Sequence, residues 1–257
     1  MGMPFSMFQR GPNKMQPLRS VPSRIEDRRM PPAGTGVDGR IFVADGLHRL
    51  PFSRSKVTAG TLLAFGLAVL SFYFADKPLA RFFGAYLRAH RTLWYGTAHL
   101  PDLLAVIVWV GTPVSFAGYL HFRARRDARA RFWQLTGVLL PVSYAYKDLL
   151  KWIFGRTEVR VWLFRHVPYG FHWFAGGRGF NSFPSGHMLV LTPLFLALWD
   201  FYPAFRLFYA LGWIMLAFLL VFTDYHFLSD VIVGGYLGWA LYATMVRWLP
   251  GAGTPAA

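Results

Sequence analysis

Long apolar segments recur along this chain, and they constrain its fold more than any other feature of the sequence. Several run for roughly 18 to 22 residues, the length that a helix needs to cross about 30 Å of hydrocarbon. Hydrophobic residues make up 54% of the 257 residues and charged residues only 15%, whereas about 25% of a typical soluble domain is charged. The sequence therefore predicts an all-α integral membrane protein.

Six membrane spans are the simplest interpretation of the apolar segments. They are predicted at about 57–75, 102–121, 132–153, 184–199, 205–222 and 226–247. Together they form a six-helix membrane domain over 57–247, which a short tail over 248–257 follows. Between the first two spans, apolar residues alternate with Arg81, Arg88 and Arg91, which predicts an interfacial helix over about 77–97 on the outer surface. A solvated connector is the alternative for this segment.

Residues 1–56 differ in composition from the rest of the chain. They combine prolines and glycines with ten basic residues, which predicts a mostly disordered cytoplasmic tail. No charged start followed at once by an apolar core precedes Val57, so no secretory signal is predicted. The tail is expected to contact the anionic head groups of lipids. Nucleic acid is the weaker alternative partner, because no folded recognition element accompanies the charge.

The distribution of positive charge predicts the orientation in the membrane. The chain has 27 Lys and Arg against 12 Asp and Glu, a formal net charge of +15, and the short loop over 122–131 carries five arginines. Basic residues in short loops mark the cytoplasmic side of a membrane protein. Both termini are therefore predicted in the cytoplasm, and the loop over 154–183 on the outer face of a bacterial inner membrane.

The predicted outer ends of the third and fourth spans carry polar residues. Lys147, Lys151 and Arg156 lie near the end of the third span, and Ser185-Gly186-His187 opens the fourth. Ionisable groups so close to a bilayer are costly and mark functional sites. Since Pro184 suits the first turn of a helix, we expect the amides of the three residues after it to lie at the positive end of the helix dipole, where phosphate binds.

The last predicted span opens with a second histidine. His226 and Asp230 are four residues apart, so on a helix the carboxylate can orient the imidazole. By the predicted topology His187 lies on the same side of the membrane. The two imidazoles would then supply a nucleophile and an acid around an anion held by cationic side chains. Asp224 is predicted to cap the last helix, and binding a water molecule is its alternative role.

The chain has no cysteine, which excludes disulfides and thiolate chemistry. A metal site formed by His187, His226, Asp224 and Asp230 is an alternative interpretation of the polar residues. The positive charges of Lys151 and Arg156 would repel a cation there. No metal and no other cofactor is therefore predicted.

These segments resemble the type 2 phosphatidic acid phosphatase superfamily, whose members share a six-helix core and three short signatures. The resemblance covers 147–238, and Phe-Pro-Ser-Gly-His at 183–187 is its most specific part. It implies that His226 is the nucleophile, Asp230 its orienting partner and His187 the general acid. The implied phosphate ligands are Lys151, Ser185 and Gly186.

Two positions depart from the signatures of the family. The first signature usually has Arg-Pro where this chain has Glu158 and Val159, so we interpret Arg156 as the phosphate ligand instead. The third signature usually has an arginine six residues before its histidine, where this chain has Leu220. Arginines of the outer loop are expected to replace it, and the candidates are Arg160, Arg165 and Arg178. Further phosphate or substrate contacts are predicted at Arg178, Arg160, Lys147 and Asp224.

The resemblance implies metal-independent dephosphorylation of a membrane lipid through a phosphohistidine intermediate. The candidate substrates are polyprenyl diphosphates, phosphatidic acid or phosphatidylglycerol phosphate, and the phosphorylated disaccharide of lipid A. A lipid phosphotransferase with the same catalytic residues is one alternative. A membrane protein that only binds a lipid phosphate is the other, to which Leu220 and Glu158 point.

Overall fold

A computed structural model of the protein describes residues 54–90, 92 and 100–249. Within these ranges the chain is helical and forms no β-strand, which confirms the predicted all-α class. Nearly all of the predicted basic tail and most of the segments 91–99 and 248–257 lie outside the described residues. The contact between the tail and anionic lipids therefore stays a prediction.

Eight α-helices form in the described part of the chain. They are α1 (Arg54–Leu70), α2 (Asp76–Ala89), α3 (Leu100–Ala124), α4 (Ala130–Phe154), α5 (Val159–Arg165), α6 (Gly186–Phe201), α7 (Arg206–Phe222) and α8 (Leu228–Trp248). A π-helical turn over Ser71–Ala75 joins α1 to α2, and a 3-10 turn over Pro203–Phe205 precedes α7. Each predicted span overlaps one helix, namely α1, α3, α4, α6, α7 or α8.

Three segments of the described chain are long and apolar enough to cross a membrane: Val57–Ala89, Leu103–Ala124 and Pro203–Phe222. Their large apolar side chains are widely exposed, for example Phe65 on α1 and Phe208 on α7. Apolar surfaces of this extent are energetically favourable in contact with lipid hydrocarbon and unfavourable in contact with water. The chain is therefore a membrane protein, whereas the count of six spans and the orientation stay predictions.

The predicted interfacial helix is continuous with the first span as far as Ala89. The helical backbone does not end at 75, because the π-helical turn leads straight into α2. The buried residues Asp76, Ala80, Gly84 and Leu87 recur every three or four positions on α2, so they form one face. This face packs against α5 and α7, which brings α2 next to the polar residues described below.

Helices α4, α6 and α8 pack against one another, with α3 against α4, α7 against α6 and α1 against α8. An apolar cluster that includes Leu135, Ala197 and Tyr242 joins α4, α6 and α8. A second cluster, which includes Met188, Leu220 and Val231, joins α6, α7 and α8. These contacts fix the ends of α4, α6 and α8 at which the polar residues lie.

Candidate active site

A cavity of about 380 Å³ lies where the end of α4, the start of α6 and the turn between α7 and α8 meet. Its walls carry charged and polar side chains from five elements of the chain. The lining residues are Leu104, Tyr144, Lys147, Lys151, Glu158, Arg160, Asn181, Gly186, His187, Asp224, Tyr225 and His226. The structure thus brings together most of the residues that the sequence predicts at the site.

His187 and His226 face each other across this cavity. Their ring centroids are 6.3 Å apart and their planes are inclined by 67°. A reacting atom lies about 3 Å from its attacking group, and a proton donor reaches about 3 Å. The two rings therefore leave room for one phosphoryl group between them, and each ring can reach it.

Asp230 lies behind His226 and is completely buried. Its Oδ2 atom is 3.8 Å from Nδ1 of His226, and it accepts hydrogen bonds from the hydroxyl of Ser182 at 2.6 Å and the amide of Phe227 at 3.1 Å. Burial lowers the pKa of His226, and the positive charge of Lys151 acts in the same direction. The neutral imidazole, which is the nucleophilic form, is therefore favoured, and its Nδ1 side is turned toward the carboxylate.

Two lysines of α4 reach the cavity beside the start of α6. A Cβ atom at Gly186 would lie 2.6 Å from Cδ of Lys147 and 3.5 Å from Cε of Lys151, so a larger residue at this position would displace the side chain of Lys147. Lys147 is also bonded to Asp148 at 2.6 Å and lies over the ring of Tyr144. The lysines therefore place positive charge next to the first amides of α6.

Helix α6 begins later than the sequence predicts. Pro184 is not in the first turn, because Ser185 is the N-cap and the helix begins at Gly186. The amide of Ser185 donates to the carbonyl of Asp230 at 3.1 Å, so it is not available to an anion. Its hydroxyl is buried and has no partner among the described residues. The amides of Gly186 and His187 remain at the positive end of the helix dipole.

Arg156 does not line the cavity, contrary to the role that the sequence suggests for it. Gly155, at a left-handed φ of 53°, ends α4 and turns the chain inward. The guanidinium of Arg156 is fully buried, donates to Asp76 at 2.7 Å, and also bonds Asp230. Further donations reach the hydroxyls of Ser229 and Tyr169, each at 2.7 Å. Arg156 therefore joins α2 to the carboxylate behind His226, and we do not assign it to phosphate.

Among Arg160, Arg165 and Arg178, Arg160 is the one that lines the cavity. It donates to the carbonyl of Thr223 at 2.8 Å, and its guanidinium lies 4.8 Å from the ring centre of Tyr225. Arg165 and Arg178 are exposed and are absent from the residues that line this cavity. Of the three candidates for the arginine missing at position 220, the geometry thus favours Arg160.

Asp224 does not cap α8, contrary to the prediction. The amide of Phe227 is bonded to Asp230 instead. Asp224 has a φ of 54° and is 1% exposed, it lines the cavity, and neither of its carboxylate oxygens has a hydrogen-bond partner among the described residues. Burial raises its pKa to about 7, although Arg160 and Arg88 act to lower it. An acidic group of the site is thus buried without a partner.

Two comparisons with known proteins found matches to this chain. The model of the PAP2 superfamily matches residues 131–253. This segment of the chain belongs to the PAP2 superfamily. It contains α4 to α8, and therefore both histidines, both lysines and Asp230. The PAP2 segment does not include α1 to α3.

Two curated relatives carry the name lipid A 1-phosphatase. The protein of Rhizobium etli is 30% identical over 135 residues, which are 51% of this chain and 58% of that protein. The protein of Rhizobium johnstonii is 31% identical over 149 residues, 53% of this chain and 61% of that protein. The chain thus spans about three fifths of these relatives. No solved structure matches it.

One residue outside the PAP2 segment is part of the support for the site. Asp76 of α2 accepts from Arg156 and from the amide and the hydroxyl of Ser229, at 3.0 and 2.5 Å. Asp76 lies in none of the sequence motifs that point to the site. A signal was present, because Asp76 is the one acidic residue in the apolar stretch Val57–Ala89, and a carboxylate there requires a partner. Ser182, which bonds Asp230, was also missed.

The alternative metal site does not form among the described residues. No three His, Asp or Glu side chains in the ranges 54–90 and 100–249 converge into a set that could bind a metal ion. Asp230 is bonded to Arg156, Ser182 and Phe227, which turns its oxygens away from the cavity. The PAP2 segment therefore offers cationic side chains and amides to an anion.

Proposed function

We propose that this chain is an integral membrane phosphatase that removes a phosphate from a membrane lipid by way of a phosphohistidine at His226. The observation that carries the proposal is the pair His187 and His226, 6.3 Å apart on the wall of a cavity that Lys151 also lines. The printed name of the two Rhizobium relatives supports a lipid phosphate as the substrate.

In the first step, Nε2 of neutral His226 attacks phosphorus, since Nδ1 faces Asp230. The bond between phosphorus and the lipid oxygen breaks, and its electron pair stays on that oxygen. Protonated His187 gives its proton to this oxygen as the lipid alcohol leaves. The phosphoryl group is then bonded to nitrogen of His226, and the positive charge that develops on the imidazole is balanced by Asp230.

In the second step, water attacks phosphorus and the bond to His226 breaks. His187, now neutral, accepts a proton from this water, so that phosphate leaves and both histidines return to their starting states. Positive charge near the transferred group lowers both barriers. Lys151, Arg160 and the amides of Gly186 and His187 supply this charge.

Arg160 takes the place of the arginine that the family signature has at position 220. Leu220 is 2% exposed and packs with Met188 and Val231 in an apolar cluster, where a guanidinium would be costly. A guanidinium from α5 can hold the phosphate oxygens in its place.

The lipid A type of phosphate is the first candidate substrate, with polyprenyl diphosphates and phosphatidic acid as the others. The proposed location is the inner membrane of a bacterium, with both termini in the cytoplasm and the cavity on the outer face. The asymmetric charge of the loop over 122–131 supports this orientation.

The test is release of phosphate by the purified full-length chain in detergent micelles that contain EDTA and one lipid phosphate at a time. We expect His226→Ala to lower kcat by at least about 10⁴-fold and His187→Ala by about 10²- to 10⁴-fold. His121→Ala, which changes an exposed histidine of α3, is the matched control and should keep the activity. Equal rates for wild type and both site variants would contradict the proposal.

The product of the reaction distinguishes the alternative function. A phosphorylated acceptor lipid in place of inorganic phosphate would identify a phosphotransferase.

A further inference from the structure

The proposed mechanism leaves one buried group of the cavity without a task. Asp224 is 1% exposed and lines the cavity, yet neither carboxylate oxygen has a hydrogen-bond partner among the described residues. A buried polar group without a partner costs about 1–3 kcal/mol, and a charged group costs more. Such a cost is expected where a ligand supplies the missing bond.

The carboxylate is held in a fixed position. The turn around it is closed by backbone bonds from Thr223 to Leu219 at 2.9 Å and from Asp224 to Val221 at 3.1 Å. On the other side lies Gly84 of α2, where a Cβ atom would be 2.8 Å from Oδ2 of Asp224. The carboxylate therefore has little room to move away from the cavity and reach another partner.

The charges around Asp224 indicate which kind of ligand atom would satisfy it. Phosphate oxygens are acceptors and carry negative charge, so above pH 7, where Asp224 with its pKa of about 7 is ionised, the carboxylate would repel them. Arg160 and Arg88 already act on Asp224 as positive charges, so a third cation such as an ammonium group is disfavoured. An uncharged donor remains, that is, a hydroxyl or an amide N–H on the alcohol part of the substrate.

We propose that Asp224 is a specificity-determining residue, which accepts a hydrogen bond from a hydroxyl or amide N–H next to the phosphate of the substrate. This inference rests on the proposed function, because it concerns the alcohol part of the substrate, which the phosphate-binding residues do not contact. A phosphorylated sugar carries such donors on the carbons beside the phosphate. Diacylglycerol phosphate and polyprenyl diphosphates carry none on their alcohol part, so Asp224 favours phosphorylated sugars over these two classes of lipid.

The experiment compares kcat/KM of the full-length chain for lipid A that carries a 1-phosphate and for dioleoyl phosphatidic acid in the same micelles. The variants are Asp224→Ala, which removes the acceptor, and Asp224→Asn, which keeps one acceptor oxygen. Asp127→Asn on the turn between α3 and α4 is the matched control. We expect Asp224→Ala to lower kcat/KM about 10- to 100-fold for lipid A and at most about twofold for phosphatidic acid, and Asp224→Asn to lie between wild type and Asp224→Ala.

A second measurement separates the sugar from the acyl chains. N-Acetylglucosamine 1-phosphate and ethyl phosphate compete with the lipid substrate, and the sugar phosphate should inhibit wild type more strongly, whereas Asp224→Ala should lose this difference. An equal loss on both lipids, no loss on either, or a wild type that acts on phosphatidic acid alone overturns the role of Asp224 and leaves the phosphatase. A wild type that releases phosphate from neither lipid overturns the proposed function itself.

Discussion

Two groups of buried polar residues lie next to each other in this protein, and they differ in how their hydrogen bonds are satisfied. The first, here called the support network, consists of Arg156, Asp76, Asp230, Ser229 and Tyr169. Both terminal nitrogens of its guanidinium and all four carboxylate oxygens have partners in the described chain, and only Nε of Arg156 lacks one there. The second group lines the cavity, and there neither carboxylate oxygen of Asp224 has a hydrogen-bond partner among the described residues.

The difference separates residues that position from residues that react or bind. A buried network in which nearly every polar atom is bonded holds its members in one arrangement. Polar atoms that are buried without partners are costly in the protein alone, and they are expected where a substrate completes the bonds. We therefore assign Arg156 and Asp76 to positioning, and we infer that the carboxylate of Asp224 contacts the substrate.

Removing one member of the support network should produce the largest loss of stability. Asp76→Ala leaves the buried guanidinium of Arg156 with one carboxylate, and breaking a buried ion pair in this way costs about 3–5 kcal/mol. We expect a clear fall in Tm in detergent and a lower kcat, because Asp230 loses part of its support. Asp76→Asn, which keeps the shape, should be less affected. Asp148→Ala removes an exposed acidic side chain and should cost at most about 1 kcal/mol. If Asp76→Ala were as stable as Asp148→Ala, the network would not support the fold.

Substitutions of Arg160 test the role of the residues that line the cavity. Arg160→Ala should lower kcat/KM for lipid phosphates about 10- to 100-fold, because a charged hydrogen bond to the phosphate is lost. Arg160→Lys should recover only part of the activity, since an ammonium cannot form two parallel bonds. Arg178→Ala, which changes an exposed arginine of the same loop, serves as the control. A loss as large in Arg178→Ala as in Arg160→Ala would contradict the assignment, and Tm values would show whether folding is affected.

Because the carboxyl group of Asp224 is buried without a hydrogen-bond partner among the described residues, the stability of the protein should depend slightly on pH. Burial raises its pKa from 3.8 to about 7, so the folded protein binds this proton more tightly than the unfolded chain does. Wild type therefore loses stability as pH rises from about 4 to 7, and the cost is complete above pH 7. Asp224→Asn has no such group, so its Tm relative to wild type should be higher at pH 8 than at pH 5. The same difference in Tm at both pH values would show that the carboxyl does not titrate in this way.

The positions of the helices and of three residues that line the cavity could be predicted because each is encoded in a contiguous stretch of the sequence. The apolar segments predicted a helix at each place where α1, α3, α4, α6, α7 or α8 lies. His187, His226 and Lys151 were found because each lies in a short signature, and the structure lines one cavity with all three. Their catalytic roles stay predictions.

The sequence failed where a role depends on contacts between distant segments. Arg156 looks like a phosphate ligand from its neighbours in sequence, but Asp76, which is 80 residues away, holds it in the support network. The position of Asp224 shortly before α8 suggests a helix cap. In the structure the amide of Phe227, at the start of α8, donates its hydrogen bond to Asp230 instead. Neither pairing follows from helical spacing, because each depends on how the turns fold over the ends of the helices.

The central claim is that His226 carries the phosphoryl group, and a trapped intermediate tests it most directly. Wild type is mixed for milliseconds with lipid labelled with ³²P in the phosphate, quenched under alkaline conditions, and digested for mass spectrometry. We predict a label that is stable to base and labile to acid on the peptide that contains His226, and no label in His226→Ala. Release of labelled phosphate without any labelled peptide, or a label on another residue, would contradict the account.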